Sequence, residues 1–323
     1  MKTTITKPNP ILAASITKAA SRQTYYTIRF LADRDLAADA YRAYAYFRWV
    51  DDTLDAESGS RFALSEAEVA ERCAFVNRQK SLLEACCRGE SLRDITPEEW
   101  MLVELVQNDS EKNSGLGYYL RNMMAVMSFD ADRRGRVISQ AELNEYTRCL
   151  ASAVTEAMHY FIGHCCYSPH NEARYLAVTA AHITHMLRDT VDDIQAGYYN
   201  IPREVLQANH ISPEDVQSDA YRAWVRGRVG LARTYFKMGR VYFGQVENLR
   251  CRLAGLAYTA RFEGVLDLIE RDGFLLRAAY PERNGLGAIA WALGSVFPML
   301  IKRGGERVIP RSVPARQRSL REL

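Results

Sequence analysis

Two aspartate pairs constrain the fold of this chain more than any other feature. Asp51 and Asp55 lie in Arg48-Trp49-Val50-Asp51-Asp52-Thr53-Leu54-Asp55, and Asp189 and Asp193 lie in Arg188-Asp189-Thr190-Val191-Asp192-Asp193. A spacing of four residues puts both carboxylates of a pair on one helix face, one turn apart. Like charges so placed repel, and each pair costs stability unless a cation sits between them. One such pair is usually a solvated face. The flanks argue otherwise, because Tyr44-Ala45-Tyr46-Phe47 and Ala180-Ala181-His182-Ile183-Thr184-His185-Met186-Leu187 are apolar enough to be buried. Carboxylates on buried helices are seldom left unpaired.

Hard oxygen ligands of this kind suit Mg²⁺, with Mn²⁺ acceptable in its place. Mg²⁺ takes one or two carboxylates and fills its shell with water and substrate phosphates. Arg48 and Arg188 precede the two pairs, and guanidinium binds phosphate in bidentate fashion. Two carboxylate faces plus two arginines describe a site for a diphosphate carried by Mg²⁺.

The 323 residues suffice for one large domain or two small ones, with a sizeable core. Gly and Pro are sparse, at 19 and 10, which favours helix. A net charge of +3 is too slight to imply nucleic acid. Seven cysteines form no C-x-x-C pair and read as reduced, buried thiols of a cytosolic protein. Met1 to Ala14 lacks the basic start, apolar run and cleavage site of a signal peptide. No stretch reaches the length of a membrane span. Gly285 to Ile301 comes nearest, and a basic tail from Lys302 to Arg321 follows it. Such a segment could rest on the anionic inner face of a membrane. The plainer reading, favoured here, is a last core helix followed by a disordered tail over 302–323.

Ser65-x-x-Glu68, Thr96-Pro97-Glu98-Glu99, Ser139-x-x-Glu142 and Ser212-Pro213-x-Asp215 read as helix N-caps. Helical periodicity predicts helices near 9–30, 34–55, 65–88, 97–108, 115–130, 139–165, 170–197, 202–208, 213–249, 253–280 and 286–300. No run of alternating β-branched residues suggests a strand. The expectation is one all-α domain over 1–301. Helices 139–165 and 213–249 would wall a cavity, with Met123, Met124 and Met127 filling irregular space. A cavity apolar below and acidic at its mouth suits a substrate with a charged head and a greasy tail.

In motif order and spacing, residues 20 to 280 resemble the squalene and phytoene synthases. Thr24-Tyr25-Tyr26 stands where the family has Ser-Phe-Tyr. Tyr44-Ala45-Tyr46-Phe47-Arg48 followed by Asp51-Asp52-x-x-Asp55 is similar to the first signature. Leu187-Arg188-Asp189-Thr190-Val191-Asp192-Asp193, then Gly197 and Ile201-Pro202, is similar to the second. Asp130, Arg136, Leu143 and Tyr146 resemble the lead-in to the middle helix. The resemblance implies an all-α isoprenoid synthase bundle around a central apolar cavity. It implies an enzyme that joins two isoprenyl diphosphates through their C1 ends by way of a cyclopropyl intermediate. Asp51 and Asp55 would hold Mg²⁺ on one diphosphate, and Asp189 and Asp193 on the other. Arg48 and Arg188 would bind diphosphate oxygens, and Tyr25, Tyr44 and Tyr146 would line the site. Whether NADPH takes part stays open.

The departures from the family cluster around the second substrate. Val-Ala-Gly-x-Val-Gly becomes Leu150-Ala151-Ser152-Ala153-Val154-Thr155, which should reshape the tail pocket. Gln and Asn become His182 and His185. Gly-Arg-x-Tyr-Leu-Pro becomes Gly197-Tyr198-Tyr199-Asn200-Ile201-Pro202, losing a fixed charge at Tyr198 and placing at Asn200 an amide able to orient water. A late family Arg has only the off-register Arg277 near its place. His182 and His185, one turn apart, could ligate metal or act as a base, with His185 the candidate for proton transfer; polar pocket lining is favoured over metal ligation, and His159, His164 and Cys165 read as packing. Two rivals stand beside the coupling enzyme: a class I terpene synthase that ionises a single diphosphate, and a scaffold on the same fold.

Overall fold

The computed structural model describes residues 11–56, 64–111 and 113–280. Eleven α-helices account for the regular structure among them: α1 Ile11–Ala20, α2 Arg22–Leu31, α3 Ala37–Ala56, α4 Glu66–Arg88, α5 Pro97–Asn108, α6 Gly115–Arg133, α7 Gln140–Phe161, α8 Ala173–Gln195, α9 Arg203–Asn209, α10 Asp219–Gln245 and α11 Leu249–Arg271. One isolated bridge, Val137 with Tyr199, is the β-pairing among the described residues.

The capping signals act as expected at three helix starts. Ser65, Thr96 and Ser139 each accept from the backbone N–H three residues on, and Glu68, Glu99 and Glu142 reach back to complete the box. Several boundaries differ: the helix expected over 139–165 ends at Phe161, the one expected to reach 249 ends at Gln245, and the one expected over 253–280 runs Leu249–Arg271. The helix expected over 9–30 breaks at Ser21, whose hydroxyl leaves α1 and caps α2 by accepting from Thr24 N at 3.2 Å. The helix expected from 213 starts at Asp219. Asp215 folds back to accept from Ser212 N at 2.7 Å, which makes a turn, and Ser218 becomes the cap. The segment 286–300 and the tail from 302 lie outside the described residues.

Helix pairing runs α2–α3–α6–α7–α8–α11 and back to α2, a closed ring. The aspartate helices α3 and α8 stand apart in that ring, bridged on one side by α6 and α7. α10 packs behind α8 and α11. At Gly239 of α10 an added Cβ would stand 2.9 Å from the Ala177 backbone of α8, so only glycine allows that approach. Below the aspartates a buried ion pair clamps α7 to α8. Arg174 donates to both Glu156 oxygens, at 2.7 and 2.8 Å, and also to Ser168 and Tyr242. All seven cysteines are free thiols, but Cys87, Cys165 and Cys166 are exposed rather than buried, since they sit at helix ends and in a loop. Among the described residues no helix is long and apolar enough to cross a membrane.

Candidate active site

Both aspartate pairs occupy the last turns of their helices, α3 ending at Ala56 and α8 at Gln195. A helix C-terminus carries negative partial charge, so carboxylates are badly placed there without a cation. The protonation behaviour reflects this. Burial, and next the Asp55 charge, push the Asp51 carboxyl up to about 6. Burial, and next Asp189, push Asp193 up to about 6. Burial also raises Asp55, against the pull of Arg72, Arg134 and Arg48. Asp189 goes the other way. Burial would raise it, but hydrogen bonds from Arg188 and His185 hold it well below the usual carboxylate range.

The flanking arginines lie where the motifs place them. Arg188, 10 % exposed, grips the Asp189 carboxylate, and His185 Nε2 stands 2.8 Å from Asp189 Oδ2. Arg48 donates to Asp51 at 3.2 Å and also to Asp52. Asp51, Asp55 and Asp193 stay raised despite the arginines beside them, which fits a bound divalent cation. Among the described residues no three side chains converge to cage an ion alone. A metal here would take one or two carboxylates and complete its shell with diphosphate oxygens and water, as Mg²⁺ does.

A relay of side chains leads from Tyr146 and Asp130 to the second motif. Asp130 Oδ1 accepts from Arg133 Nε at 2.7 Å, and Asp130 Oδ2 accepts from the Tyr146 hydroxyl at 3.0 Å. Arg133 Nη1 donates to Asn200 Oδ1 at 3.0 Å, and Asn200 Nδ2 donates to Asp193 Oδ2 at 2.6 Å. Asp130 is felt at the first motif too, where its charge helps raise Asp51. Backbone geometry delivers Asn200 to this place. Gly197, at φ +83°, turns the chain out of α8. Tyr198 N then donates to Asp193 O at 2.7 Å, Gly135 N to Gly197 O at 2.7 Å, and Arg203 N to Ile138 O at 2.8 Å.

This loop corrects two expectations. The missing charge at Tyr198 is supplied from elsewhere. Arg72 Nη2 donates to the Tyr198 hydroxyl at 2.9 Å, and the Arg133 and Arg134 guanidinium carbons stand 4.8 and 5.9 Å from its ring centroid. Asn200 is 3 % exposed and its amide is engaged at both ends, so it is not the water-holding group suggested by its position in the sequence. Arg72 and Arg133 escaped the sequence reading. Arg72 is 1 % exposed and also donates to the carbonyls of Asp130, Ala131 and Leu54. A signal existed: Arg72 shares the buried face of α4 with Val76, Gln79 and Leu83, where an arginine needs a reason.

The remaining candidates fall on the same ring of helices. Tyr44 is half-buried on α3, its phenol raised by burial, with Arg48 and Asp51 nearby. Tyr25 packs its ring 5.4 Å from Tyr41 of α3. Ala151 and Thr155 are buried in α7, and Ser152 is half-buried. The His182 ring lies 5.1 Å from that of Tyr146. Arg277 pairs with Asp272 at 2.5 Å beyond α11. His159 meets Tyr242 at 3.0 Å, and His164 meets Glu111 at 3.0 Å. Cys165 is exposed in the loop after α7.

Known proteins resemble this chain in sequence and in fold. A phytoene synthase of Thermus thermophilus is 25% identical over 269 residues, covering 79% of this chain and 81% of that protein. The structure is similar to that of squalene synthase HpnC from Alicyclobacillus acidocaldarius, with a TM-score of 0.61 and 19% identity over 83% of this chain and 95% of that one. It is also similar to a dehydrosqualene synthase solved with a ligand, with a TM-score of 0.68 and 16% identity over 90% and 96% of the two chains. The solved structures share the all-α isoprenoid synthase fold, and the family's sequence model matches residues 17–284, so the chain belongs to the squalene/phytoene synthase family.

Proposed function

We propose that this prenyltransferase of the squalene/phytoene synthase type joins two isoprenyl diphosphates head to head, with Mg²⁺, into a squalene- or phytoene-type skeleton. One observation carries the reading: two separate carboxylate pairs, each with its own arginine, lie within electrostatic reach of the Asp130–Arg133 pair, which Asn200 links to Asp193. Two pairs suit two diphosphates. A scaffold has no use for carboxyls held against their own repulsion, and an enzyme acting on one diphosphate has less use for the second arginine.

Asp51 and Asp55 would hold the metal on one diphosphate, and Asp189 and Asp193 on the other. When bound, the metal neutralises the leaving diphosphate. Arg48 and Arg188 would release their aspartates and donate to phosphate oxygens, which lowers the barrier to ionisation. Arg133 and Arg72 hold the loop that carries Asn200 and so fix Asp193. The Tyr44 ring would offer a π-face to an allyl cation, whereas Arg133 already stands 4.9 Å from the Tyr146 ring centroid, and the enclosing helices would keep out water.

The test is incubation with C10, C15 and C20 diphosphates and Mg²⁺, with and without chelator and NADPH, read by mass spectrometry. Products of doubled carbon number and chelator-sensitive diphosphate release are expected. Products of unchanged length would favour the single-diphosphate synthase, and absence of diphosphate release the scaffold. The NADPH arm shows whether a reductant is used. The C-terminal segment carries the further proposal of peripheral contact with an anionic membrane, read by vesicle sedimentation of the full chain and of a chain ending at 301.

A further inference from the structure

The outward face of α2 serves neither the core nor the recess. Arg22, Gln23, Tyr26, Arg29 and Phe30 are all exposed, and their spacing places them on one side of the helix. Phe30 is 67 % exposed and Tyr26 48 %, and their rings stack with centroids 6.0 Å apart. Neither Arg22 nor Arg29 pairs with a carboxylate among the described residues. Lys18 of α1 adds a third cation, its Nζ 5.5 Å from the Tyr25 ring centroid. Arg261 of α11 adds a fourth, donating to Gln23 at 2.6 Å. From Ile11 to Leu31 the chain holds no Asp or Glu. The first carboxylate beyond, Asp33, is taken up by Arg250 and by the backbone N–H groups of Gly163 and His164. The other side of α2 is committed to the fold, with Ile28 buried and Tyr25 packed against Tyr41 of α3.

We propose that this face of α2, with Lys18 and Arg261 beside it, docks the protein on an anionic lipid bilayer. The cations meet the headgroup charge, and each basic side chain near such a surface adds attraction. The Tyr26 and Phe30 rings enter the boundary between headgroups and acyl chains, where aromatic side chains are favoured. The docking needs no substrate and stands apart from the coupling reading. It is also separate from any contact made by the C-terminal segment. Its bearing on the recess comes from the ring of helices: α2 is one of its walls, so a docked chain sets that wall against the bilayer.

The charge pattern selects a bilayer over other partners. A two-fold contact between two copies would set Arg22 and Arg29 against the same arginines of the second copy, with no acid of α1 or α2 to pair with them. A net charge of +3 over the whole chain speaks against a nucleic acid. A lipid surface uses both halves of the face at once, its headgroups for the cations and its interfacial layer for the rings. Two large aromatic rings stacked in water and rimmed by charge are the kind of patch that marks such a contact.

The test is sedimentation of the full chain, without substrate, with vesicles of phosphatidylcholine alone and of three parts phosphatidylcholine to one part phosphatidylglycerol. Wild type is expected to partition at least tenfold more strongly onto the anionic vesicles, and less so as salt is raised. The double variant Tyr26→Ser, Phe30→Ser should lose at least tenfold in partitioning at every salt concentration. Arg22→Gln with Arg29→Gln should lose at least fivefold at low salt and flatten the salt dependence, and this pair serves alone should the serine variant not fold. Equal binding to both vesicle types, or wild-type partitioning in both double variants, overturns the proposal. So does a chain that ignores vesicles but is retained by RNA, or one that forms a dimer which either double variant dissociates. None of these outcomes touches the coupling reading, which is read from products.

Discussion

The Asn200 side-chain amide donates to the Asp193 carboxylate at 2.6 Å, and this contact couples a loop to a metal-binding residue. The other end of the same amide accepts from Arg133 at 3.0 Å. Asn200→Ala should therefore free Asp193 to rise further in proton affinity and weaken metal binding. We expect the Mg²⁺ concentration for half-maximal diphosphate release to rise at least tenfold. An unchanged Mg²⁺ dependence would show the relay to be ornamental.

Asp51→Asn and Asp189→Asn should both abolish turnover yet move stability in opposite senses. The folded-state affinity of Asp51 for its proton is raised, to about 6 from 3.8. Its ionised form thus opposes folding, and stability falls as pH rises between those values. Metal-free Asp51→Asn should melt above wild type at pH 7 and lose that advantage at pH 4. Asp189 is depressed by Arg188 and His185, so its charge favours folding above the unfolded value near 3.8. Asp189→Asn should melt below wild type at pH 7, contrary to what clustered charge alone suggests. Calorimetry of both variants at the two pH values decides this.

Restoring the family pattern at 198 should harm this protein. Tyr198→Arg would place a fourth guanidinium against Arg72, Arg133 and Arg134. We expect a clear fall in melting temperature at low salt, partly recovered at high salt because screening weakens like-charge repulsion. A variant as stable as wild type would mean that these arginines reorient freely.

Inorganic diphosphate and Mg²⁺ should stabilise the chain only together. Each carboxylate pair lacks the ligands to cage an ion alone, and diphosphate alone meets uncompensated carboxylates. Thermal shift should rise with the two present, following ligand linkage. A full shift from Mg²⁺ alone would contradict shared coordination.

The Glu156–Arg174 clamp should matter for stability rather than chemistry. Removing one partner of a buried pair costs roughly 3–5 kcal/mol, so Glu156→Ala should lower unfolding free energy by about that much. Denaturant titration reads the loss.

Thr155→Gly with Ser152→Gly tests the tail pocket. The pair should favour longer substrates modestly, since each pocket methylene is worth about 1–3 kcal/mol. Two helix-interior glycines also cost about 1 kcal/mol each against alanine. An unchanged chain-length profile by mass spectrometry would remove both residues from the pocket.

What the sequence determined is local. Capping boxes act across three residues and Asp-x-x-x-Asp across four, and both are fixed by helix geometry alone, so Ser65, Thr96, Ser139 and the aspartate faces were legible. Burial of α3 and α8 followed from their apolar flanks. The tertiary structure decided which distant groups meet. Arg72 reaches Tyr198 across 126 residues and Arg133 reaches Asn200 across 67. No periodicity encodes such partners, because they depend on how α4, α6 and the loop after α8 pack. That packing turned an apparent loss of charge at Tyr198 into a surplus and engaged Asn200.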